Sequence, residues 1–288
     1  MPEGDTVWRT AHRLHQALAG EELVLCDLRF PEIATVDLTG ATTTEVVSRG
    51  KHVLHRLDTG VTVHSHLRME GQWRVERAEE TGRWLRRADL RAALGASTWA
   101  AIGLRLGMLE VLPTSREGDV VGHLGPDVLG PDWDPDRAVA NLAADPQPVG
   151  SALLDQRNLA GVGTLWASES LFLERLHPWT PASQVPPERL ESLVQRIARL
   201  LDVSRLHAVQ SSTGSRRRGE EHFVHARSGR PCRRCGDTVR VAMIGKAPQE
   251  RTMFYCPTCQ GGLAPNDDGR TQRPMGSAGG RANPYRKS

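Results

Sequence analysis

Four of the five cysteines form two Cys-x-x-Cys pairs, and this spacing constrains the chain more than any other feature of the sequence. The pairs are Cys232/Cys235 and Cys256/Cys259, with 20 residues between them. Each pair can direct two thiolates at one tetrahedral ion, so the spacing indicates a single zinc site. Disulfide bonds are the alternative, but they are uncommon in the reducing cytoplasm.

The residues between the two pairs predict the local structure of that site. TVRVAMIGKAPQERTMFY (238–255) alternates on both sides of a turn near GKAP, which predicts a hairpin of two strands. So small a unit cannot hold its fold without the metal, so the zinc is expected to be structural. The fifth cysteine, Cys26, lies in the apolar run LVLCDL and is predicted to be a buried core thiol.

The chain ahead of the hairpin divides into a β-rich part and a helical part. Residues 5–19 repeat apolar side chains at helical spacing, whereas residues 23–112 form short alternating runs separated by Gly, Asp and Pro. This order predicts one helix followed by an antiparallel sandwich or barrel. The Gly-, Pro- and Asp-rich stretch 122–137 indicates a boundary, and helical periodicity follows it, as in 187–206. The predicted fold class is therefore α+β.

The predicted domains follow from these changes in pattern. We expect an N-terminal β-sandwich domain over residues 1–131, a helical domain over 132–225 and the zinc hairpin over 226–263. Residues 264–288 contain almost no apolar side chains and are expected to be a disordered, basic tail.

Charge is distributed unevenly, although the net charge is only +3. Residues 205–288 hold 16 Lys and Arg and 6 Asp and Glu, a net of +10, which leaves −7 for residues 1–204. A basic C-terminal third indicates a polyanionic partner, with nucleic acid the first candidate; a merely solvated tail is the alternative. No run approaches the about 18 apolar residues of a membrane span, and no signal-peptide core is evident. A cytoplasmic protein without a membrane partner is expected.

Lysine is rare in this chain, with only three among 37 basic residues. Lys51 is the only one in the first 245 residues. In a sequence that otherwise uses Arg, a retained Lys indicates a need for a compact ammonium or a titratable amine. Chance retention of a single residue is the alternative.

The N-terminal sequence MPEGDTV has two interpretations. If Met1 is removed, Pro2 carries a free secondary amine, a nucleophile whose ordinary pKa of about 7.7–8.0 leaves a useful neutral fraction. Glu3 is the adjacent carboxylate and could move a proton. The alternative is that Pro and nearby acids are simply favourable at a helix start.

Five segments together resemble the Fpg/Nei family, the formamidopyrimidine-DNA glycosylases and endonuclease VIII enzymes, over residues 2 to about 262. The segments are PEGDTV (2–7), RGKHVL (49–54), HSHLRMEGQW (64–73), LLDQRNLAGVGTLWASESLF (153–172) and ERTMFYCPTCQ (250–260). The Gly after PE is nearer to the endonuclease VIII enzymes than to the PELPEV of formamidopyrimidine enzymes. The third segment matches the family's strand with the void-filling residue, and the fourth its helix–two-turn–helix DNA-binding motif.

The resemblance assigns catalytic roles to four residues. Pro2 would be the nucleophile that attacks C1′ of the damaged nucleoside, and the resulting Schiff base would lead to β- and then δ-elimination. Glu3 would act as a general acid/base. Lys51 would hold a phosphate near the lesion and assist base loss, and Arg251 would grip phosphates at the flipped nucleotide.

The resemblance also implies contacts with DNA in the first domain. Met69 would insert into the duplex and fill the space left by the flipped base. Arg105 and Leu106 lie where formamidopyrimidine enzymes carry an Arg–Phe pair that wedges the opposite strand. Because Leu replaces the aromatic residue, a strict choice of the opposite base is not implied.

Further DNA contacts are implied in the second domain. Asn158, Gly161 and Gly163 belong to the two-turn segment, whose backbone N–H groups would cradle a phosphate. Thr164 stands where the family commonly has Asn, and its hydroxyl would still donate to phosphate. The arginines at 216–218 would contact the backbone or the lesion, with a solvated charge run as the alternative.

The resemblance implies a bifunctional DNA glycosylase/AP lyase of the endonuclease VIII-like branch. Its partner would be damaged DNA, with oxidised pyrimidines preferred over purines, and one zinc ion would be bound. A monomer associated with the nucleoid is expected. Formamidopyrimidine-type specificity for oxidised purines remains an alternative, as does a non-catalytic relative that binds abasic or branched DNA.

Overall fold

The computed structural model describes residues 2–274 of the chain. They divide into two compact units, an N-terminal unit up to Pro131 and a C-terminal unit from Asp132 onwards. Each unit is described by itself below. Residues 275–288, the end of the predicted tail, lie outside the described part of the chain.

The N-terminal unit begins with an amphipathic helix, α1, over Gly4–Leu18. Its apolar residues at helical spacing are all buried, namely Val7, Ala11, Leu14 and Leu18. Because these side chains share one face, the helix packs that face against the strands that follow. The predicted helix is therefore confirmed.

Eight strands follow α1 and form two antiparallel sheets of four strands each. The first sheet has the order β1-β6-β7-β5 and the second β2-β3-β4-β8. Their bounds are β1 Leu25–Leu28, β2 Thr43–Arg49, β3 His52–Leu57, β4 Val61–His66, β5 Gln72–Arg77, β6 Leu90–Gly95, β7 Trp99–Leu104 and β8 Met108–Pro113. The inner faces share one apolar core, so the architecture is a β-sandwich, as predicted.

Two short helices complete the N-terminal unit: α2 over Thr81–Leu85 and α3 over Glu117–Val121. The segment after β8 lies over β3 and β4. Arg56 on β3 donates to Glu117 at 2.6 Å, and Thr62 on β4 donates to the same carboxylate at 2.6 Å. One face of the second sheet is thereby tied to the segment that contains α3.

The C-terminal unit begins with four helices. They are α4 Pro135–Ala144, α5 Val149–Ala152, α6 Thr164–Leu173 and α7 Pro187–Arg205. Helix α6 is buried along almost its whole length, whereas α7 buries one face. The turns between α5 and α6 form the expected helix–two-turn–helix arrangement. Among residues 2–274, no helix combines the length and apolar character that crossing a bilayer requires.

The C-terminal unit ends with the predicted antiparallel hairpin, formed by β9 over Arg240–Ile244 and β10 over Arg251–Tyr255. A short helix, α8, spans Pro257–Gln260. The structure confirms the α+β class, with a sandwich in one unit and helices with a hairpin in the other.

The first part of the predicted disordered tail differs from that expectation. Asp267 accepts two hydrogen bonds from the Arg240 guanidinium, at 2.5 and 2.6 Å, and one from the Tyr255 hydroxyl at 2.7 Å. Gln272 bonds both backbone polar groups of Val241. A polar segment with few apolar residues is therefore ordered here by specific bonds to β9 and β10.

Candidate active site

Pro2 and Glu3 lie at the start of α1. The Glu3 carbonyl accepts from the Val7 N–H at 3.0 Å, so Glu3 occupies the N-cap position. Glu3 is only 1% exposed and Asp5 is fully buried, whereas Pro2 is partly exposed. The positive end of the helix dipole favours carboxylates in this position. The chain thus holds a buried carboxylate next to a partly accessible Pro2.

Lys51 lies in the turn between β2 and β3, and hydrogen bonds to residues 125 and 127 hold this turn in place. Gly50 has φ +56°, which glycine adopts without strain. Its N–H donates to the buried Asp127 carboxylate at 2.7 Å. The adjacent Arg49 donates to the Gly125 carbonyl at 3.2 Å. These bonds fix the backbone that carries Lys51.

Two turns of the N-terminal unit carry the residues expected to enter the duplex. Met69 lies in the turn after β4 and is 68% exposed. Arg105 lies in the turn after β7, is exposed, and has φ +48°. A Cβ on Gly107 would come within 2.2 Å of the Arg68 Cγ, so Arg68 packs directly over the second turn. The structure therefore brings the Met69 turn and the Arg105 turn together.

Leu106 occupies a different environment from Arg105. Its side chain is 3% exposed and belongs to the core of the sandwich. Its wedge role, implied by the resemblance, remains a prediction, and it would require this side chain to leave the core.

In the C-terminal unit, the two-turn segment is built by internal bonds. The Asn158 amide donates to Asp145 at 2.8 Å and to the Ala152 carbonyl at 3.0 Å. The Gly161 N–H donates to Gln156 at 3.0 Å, and Gly161 has φ +99°. Gly163 is the N-cap of α6, whose first residue Thr164 is 8% exposed. The segment places the N-terminus of α6 directly after the glycines.

Arg251 is the first residue of β10 and is exposed. Its guanidinium donates to the carbonyls of Gln249 and Glu250 at 3.4 and 3.2 Å. These bonds to the hairpin turn keep the guanidinium at the end of the hairpin.

The loop that carries Arg216–Arg218 has an anchor that the sequence analysis missed. Glu169 on α6 is completely buried, and its carboxylate accepts the backbone N–H groups of Phe223, Val224 and His225 at 2.7–2.8 Å. Ser212 donates to it as well. The available sequence signal was a single charged residue in LWASESLF, whose other residues are apolar or serine.

Three histidines near Lys51, in the segments RGKHVL and HSHLRMEGQW, form a cluster that the sequence did not predict. His52, His64 and His66 lie on one face of β3 and β4, and the His52 ring lies 4.9 Å from each of the other two. Burial, followed by the neighbouring histidines, lowers the pKa of His52 to about 3. Burial, followed by the charges of Arg68 and Lys51, lowers the pKa of His66 to about 4. The alternating HSH of β4 was the sequence signal.

The four cysteines of the two pairs converge in the C-terminal unit. Their Sγ atoms all lie within 4.8 Å of one another. The distance is 3.9 Å between Cys232 and Cys259 and 3.5 Å between Cys235 and Cys256. Tetrahedral Zn–S bonds of about 2.3 Å require S···S separations of roughly 3.8 Å. The four thiols can therefore hold one metal ion.

The comparisons with known proteins agree with this arrangement. Residues 1–103 match the family described as formamidopyrimidine-DNA glycosylase N-terminal domain, and residues 124–216 match the formamidopyrimidine-DNA glycosylase H2TH domain. The chain is 50% identical over 272 residues to a probable endonuclease 8 2 of Streptomyces coelicolor, covering 94% of this chain and 98% of that protein. It is 44% identical over 262 residues to the DNA-(apurinic or apyrimidinic site) lyase Nei2 of Mycolicibacterium smegmatis, covering 90% and 99%.

Solved structures share the fold. A crystal structure of Lactococcus lactis formamidopyrimidine DNA glycosylase, bound non-covalently to DNA with an abasic site, superposes with a TM-score of 0.74 at 22% identity and covers 90% of this chain and 99% of that one. A MutM structure in complex with DNA containing carbocyclic 8-oxo-G superposes with a TM-score of 0.75 at 24% identity, covering 90% and 100%.

Proposed function

The chain belongs to the Fpg/Nei family of DNA glycosylases, and from this premise we propose that it is a base-excision-repair glycosylase/AP lyase of the endonuclease VIII-like branch. The identities of 50% and 44% to endonuclease 8 and AP lyase relatives, over at least 90% of the chain, support this assignment. The observation that carries the mechanism is the start of α1, where Glu3 is buried at the N-cap beside a partly exposed Pro2.

Pro2 is the proposed nucleophile. After removal of Met1, its neutral secondary amine attacks C1′ and displaces the damaged base, and the amine gives up its proton. The C1′–O4′ bond then breaks and O4′ takes a proton, which opens the sugar ring and leaves an iminium between the Pro2 nitrogen and C1′. That cation acidifies the C2′ proton, so β-elimination breaks the strand on the 3′ side, and δ-elimination then releases the 5′ phosphate. Glu3 carries protons to and from the sugar. Burial at a helix N-terminus keeps its carboxylate in place.

The DNA contacts are proposed from both units. Lys51 holds a phosphate and assists base departure, with its turn fixed by the Gly50–Asp127 bond. Met69 fills the space left by the flipped base, and its 68% exposure is consistent with insertion. Arg251 contacts phosphate from the tip of the hairpin. DNA-bound relatives of the same fold support damaged DNA as the partner.

The two-turn segment is proposed to bind phosphate at the N-terminus of α6. The helix dipole and the first N–H groups favour an anion there. Gly163 and Thr164 stand at this position. Arg105 completes the proposed contacts by facing the strand opposite the lesion.

One structural zinc ion is proposed at the four cysteines. Residues Cys232, Cys235, Cys256 and Cys259 would bind it as thiolates, and it would hold the β9–β10 hairpin that carries Arg251. The proposed domain limits remain 1–131, 132–225 and 226–263, with a monomer in solution and a location on the nucleoid.

Oxidised pyrimidines are proposed as the preferred lesions. The Gly of PEGDTV and the Leu at 106 both depart from the formamidopyrimidine enzymes, which supports this choice over oxidised purines. A non-catalytic DNA-binding relative is the other alternative, and the intact Pro2, Glu3 and Lys51 argue against it. Cleavage of matched duplexes, each containing one oxidised pyrimidine or one oxidised purine, distinguishes the three.

The mechanism is tested by borohydride trapping. An abasic-site duplex and borohydride should give a covalent complex, and mass spectrometry should locate the link at the nitrogen of Pro2. The undamaged duplex is the control and should give no complex. Trapping at a lysine, or no trapping, would exclude the Pro2 mechanism.

A further inference from the structure

A chain of three polar side chains runs from the Lys51 turn across one face of the second sheet to Glu110 on β8, whose side chain is 43% exposed. His52 on β3 pairs with His66 on β4, and His64 on β4 pairs with Glu110 on β8. The Nδ1 of His52 lies 2.7 Å from the Nε2 of His64, and the Nδ1 of His64 lies 2.6 Å from the Glu110 carboxylate. His64 is only 1% exposed. The three groups form a continuous hydrogen-bonded chain.

The acceptor at one end fixes every proton in this chain. Because an ionised Glu110 only accepts, the Nδ1 of His64 carries the proton between them. In the neutral ring, the Nε2 of His64 is then an acceptor, so the Nδ1 of His52 donates to it. The Nε2 of His52 is consequently left with its lone pair. The neutral chain therefore ends, beside Lys51, in an imidazole nitrogen that can accept a proton.

The charges around the two ends of the chain have opposite sign. The His52 end lies among cations and further imidazoles: Lys51 and Arg68 lie close to His66, and Arg68 and His123 lie close to His52. The Arg68 N–H donates to the Nδ1 of His66 at 2.9 Å, which makes that nitrogen an acceptor as well. Burial, followed by repulsion from these neighbours, lowers the pKa of His52 and of His66, so both rings are neutral in the free protein.

The Glu110 end lies among carboxylates. Glu110 bonds His64 directly, and Glu117 lies close enough to interact with it electrostatically. Glu117 also accepts from Arg56 and Thr62, and these bonds outweigh its burial and lower its pKa. Arg56 is the one cation facing the Glu110 end among the described bonds, and it is paired with Glu117 and Glu45. The Glu110 end is therefore the more negative end of the chain.

We propose that the His52–His64–Glu110 chain is a proton store that takes up one proton when DNA phosphate binds at the Lys51 turn. The inference rests on the proposed function, because it requires a phosphate at this turn. In free protein, the positive charges of Lys51 and Arg68 oppose the addition of a further positive charge to the chain. A bound phosphate offsets those charges, so a protonated chain becomes favourable.

The proton transfer balances without any further reactant. A proton from solvent bonds to the Nε2 of His52, and the Nδ1 proton of His52 moves to the Nε2 of His64. His64 becomes an imidazolium that donates to Glu110, and His52 returns to a neutral ring with its proton on Nε2. That Nε2–H is now a donor, which suits a phosphate oxygen. Uptake of the proton thus converts the Nε2 of His52 from acceptor to donor.

The test compares the number of protons bound with DNA in wild type and Glu110→Gln. Calorimetric titration with a duplex containing a non-cleavable abasic analogue, in buffers of different ionisation enthalpy at fixed salt, gives this number directly. Gln can still accept from His64 but carries no charge. Glu21→Gln, an exposed acid of the same unit, is the matched control.

One proton taken up per complex would make wild-type affinity rise by about tenfold for each unit of falling pH. Glu110→Gln should lose most of this slope, and Glu21→Gln should keep it. A second measurement needs no variant: nitrogen-15 NMR of labelled histidine should show the His64 ring changing from neutral to charged when the duplex is added at pH 7.

The outcomes separate this inference from the proposed function. Wild-type protein that fails to bind the lesion duplex would contradict the proposed function and this inference with it. Binding with the same proton number in wild type and Glu110→Gln, or with a His64 ring that keeps its protonation state, would overturn the proton store alone.

Discussion

Replacing Asp267 by Asn should destabilise the hairpin, because this carboxylate is the charge partner of a buried arginine. The side chains of Asp267 and Arg240 are only 2% and 7% exposed, and they share two hydrogen bonds. Asn preserves the shape and one acceptor but removes the charge, which leaves the guanidinium buried without its counter-ion. The neighbouring Asp268 pairs with Arg270, and those side chains are 64% and 83% exposed. Asp268→Asn is therefore a control with the same chemical change.

The expected losses in free energy of unfolding for Asp267→Asn and Asp268→Asn differ several-fold. Removing one partner of a buried ion pair costs about 3–5 kcal/mol. We expect about 3 kcal/mol for Asp267→Asn, the lower end of that range, because the Tyr255 hydroxyl, which donates to Asp267 in the wild type, can still donate to the amide oxygen of the variant. For a unit of this size, that lowers the midpoint of thermal unfolding by roughly 6–12 °C. Asp268→Asn should cost less than about 1 kcal/mol, since its pair is solvated.

The dependence of this effect on pH provides a second criterion. Burial raises the pKa of Asp267, but bonds from Arg240 and Tyr255 outweigh it, and the net pKa is lowered. A lowered folded-state pKa gives stability that is present above the unfolded value of about 3.9 and is lost as pH falls through the folded value. The difference between wild type and Asp267→Asn should therefore be full at pH 7 and shrink below about pH 4.

The assay is calorimetric unfolding of the metal-loaded protein, with hydrogen exchange to locate the change. Exchange should accelerate in peptides from β9, β10 and residues 264–274, and should be unchanged in peptides from α1. Equal midpoints for Asp267→Asn and Asp268→Asn at pH 7 would refute the argument that the buried pair orders this segment.

Two further predictions concern the active site and the metal. Lys51→Arg keeps the charge but replaces a compact ammonium with a planar fork. Base excision from a duplex with an oxidised pyrimidine should therefore fall at least about tenfold, while cleavage of a duplex with a preformed abasic site falls much less. Equal losses in the single-turnover rates on these two duplexes would assign Lys51 to general DNA binding. Cys256→Ser should lose the zinc, as measured by metal analysis, and should bind DNA more weakly, while hydrogen exchange in residues 2–131 stays at the wild-type level. Wild-type protein that contains no zinc, and cleavage that chelators do not affect, would contradict the assignment of a zinc site to the four cysteines.

Elements with a strong local pattern could be predicted from the sequence. The spacing of Val7, Ala11, Leu14 and Leu18 predicted α1, because burial of one helical face needs only residues within the helix. The paired cysteines predicted the convergence of four thiols for the same kind of reason, since the spacing itself carries the geometry.

Contacts between residues distant in sequence could not be predicted in this way. His64 and Glu110 are 46 positions apart, and Glu169 lies 54 positions from Phe223. Each pair meets only after sheets or helices have packed. The ordered segment around Asp267 was missed for the same reason: its polar composition indicates disorder, and only the position of Arg240 on β9 supplies the compensating bonds.

The hydrogen bonds within the two-turn segment determine what a loss of DNA binding in its variants would mean. Both donor bonds of the Asn158 amide stay inside the unit, to Asp145 and Ala152, and the Gly161 N–H is bonded to Gln156. These groups build the turn. Weaker DNA binding in an Asn158 variant would therefore indicate that the turn has been displaced, rather than that a phosphate contact has been lost. Thr164 differs, because it opens α6, where the helix dipole favours an anion. A phosphate bound by this segment is therefore expected at the N-terminus of α6.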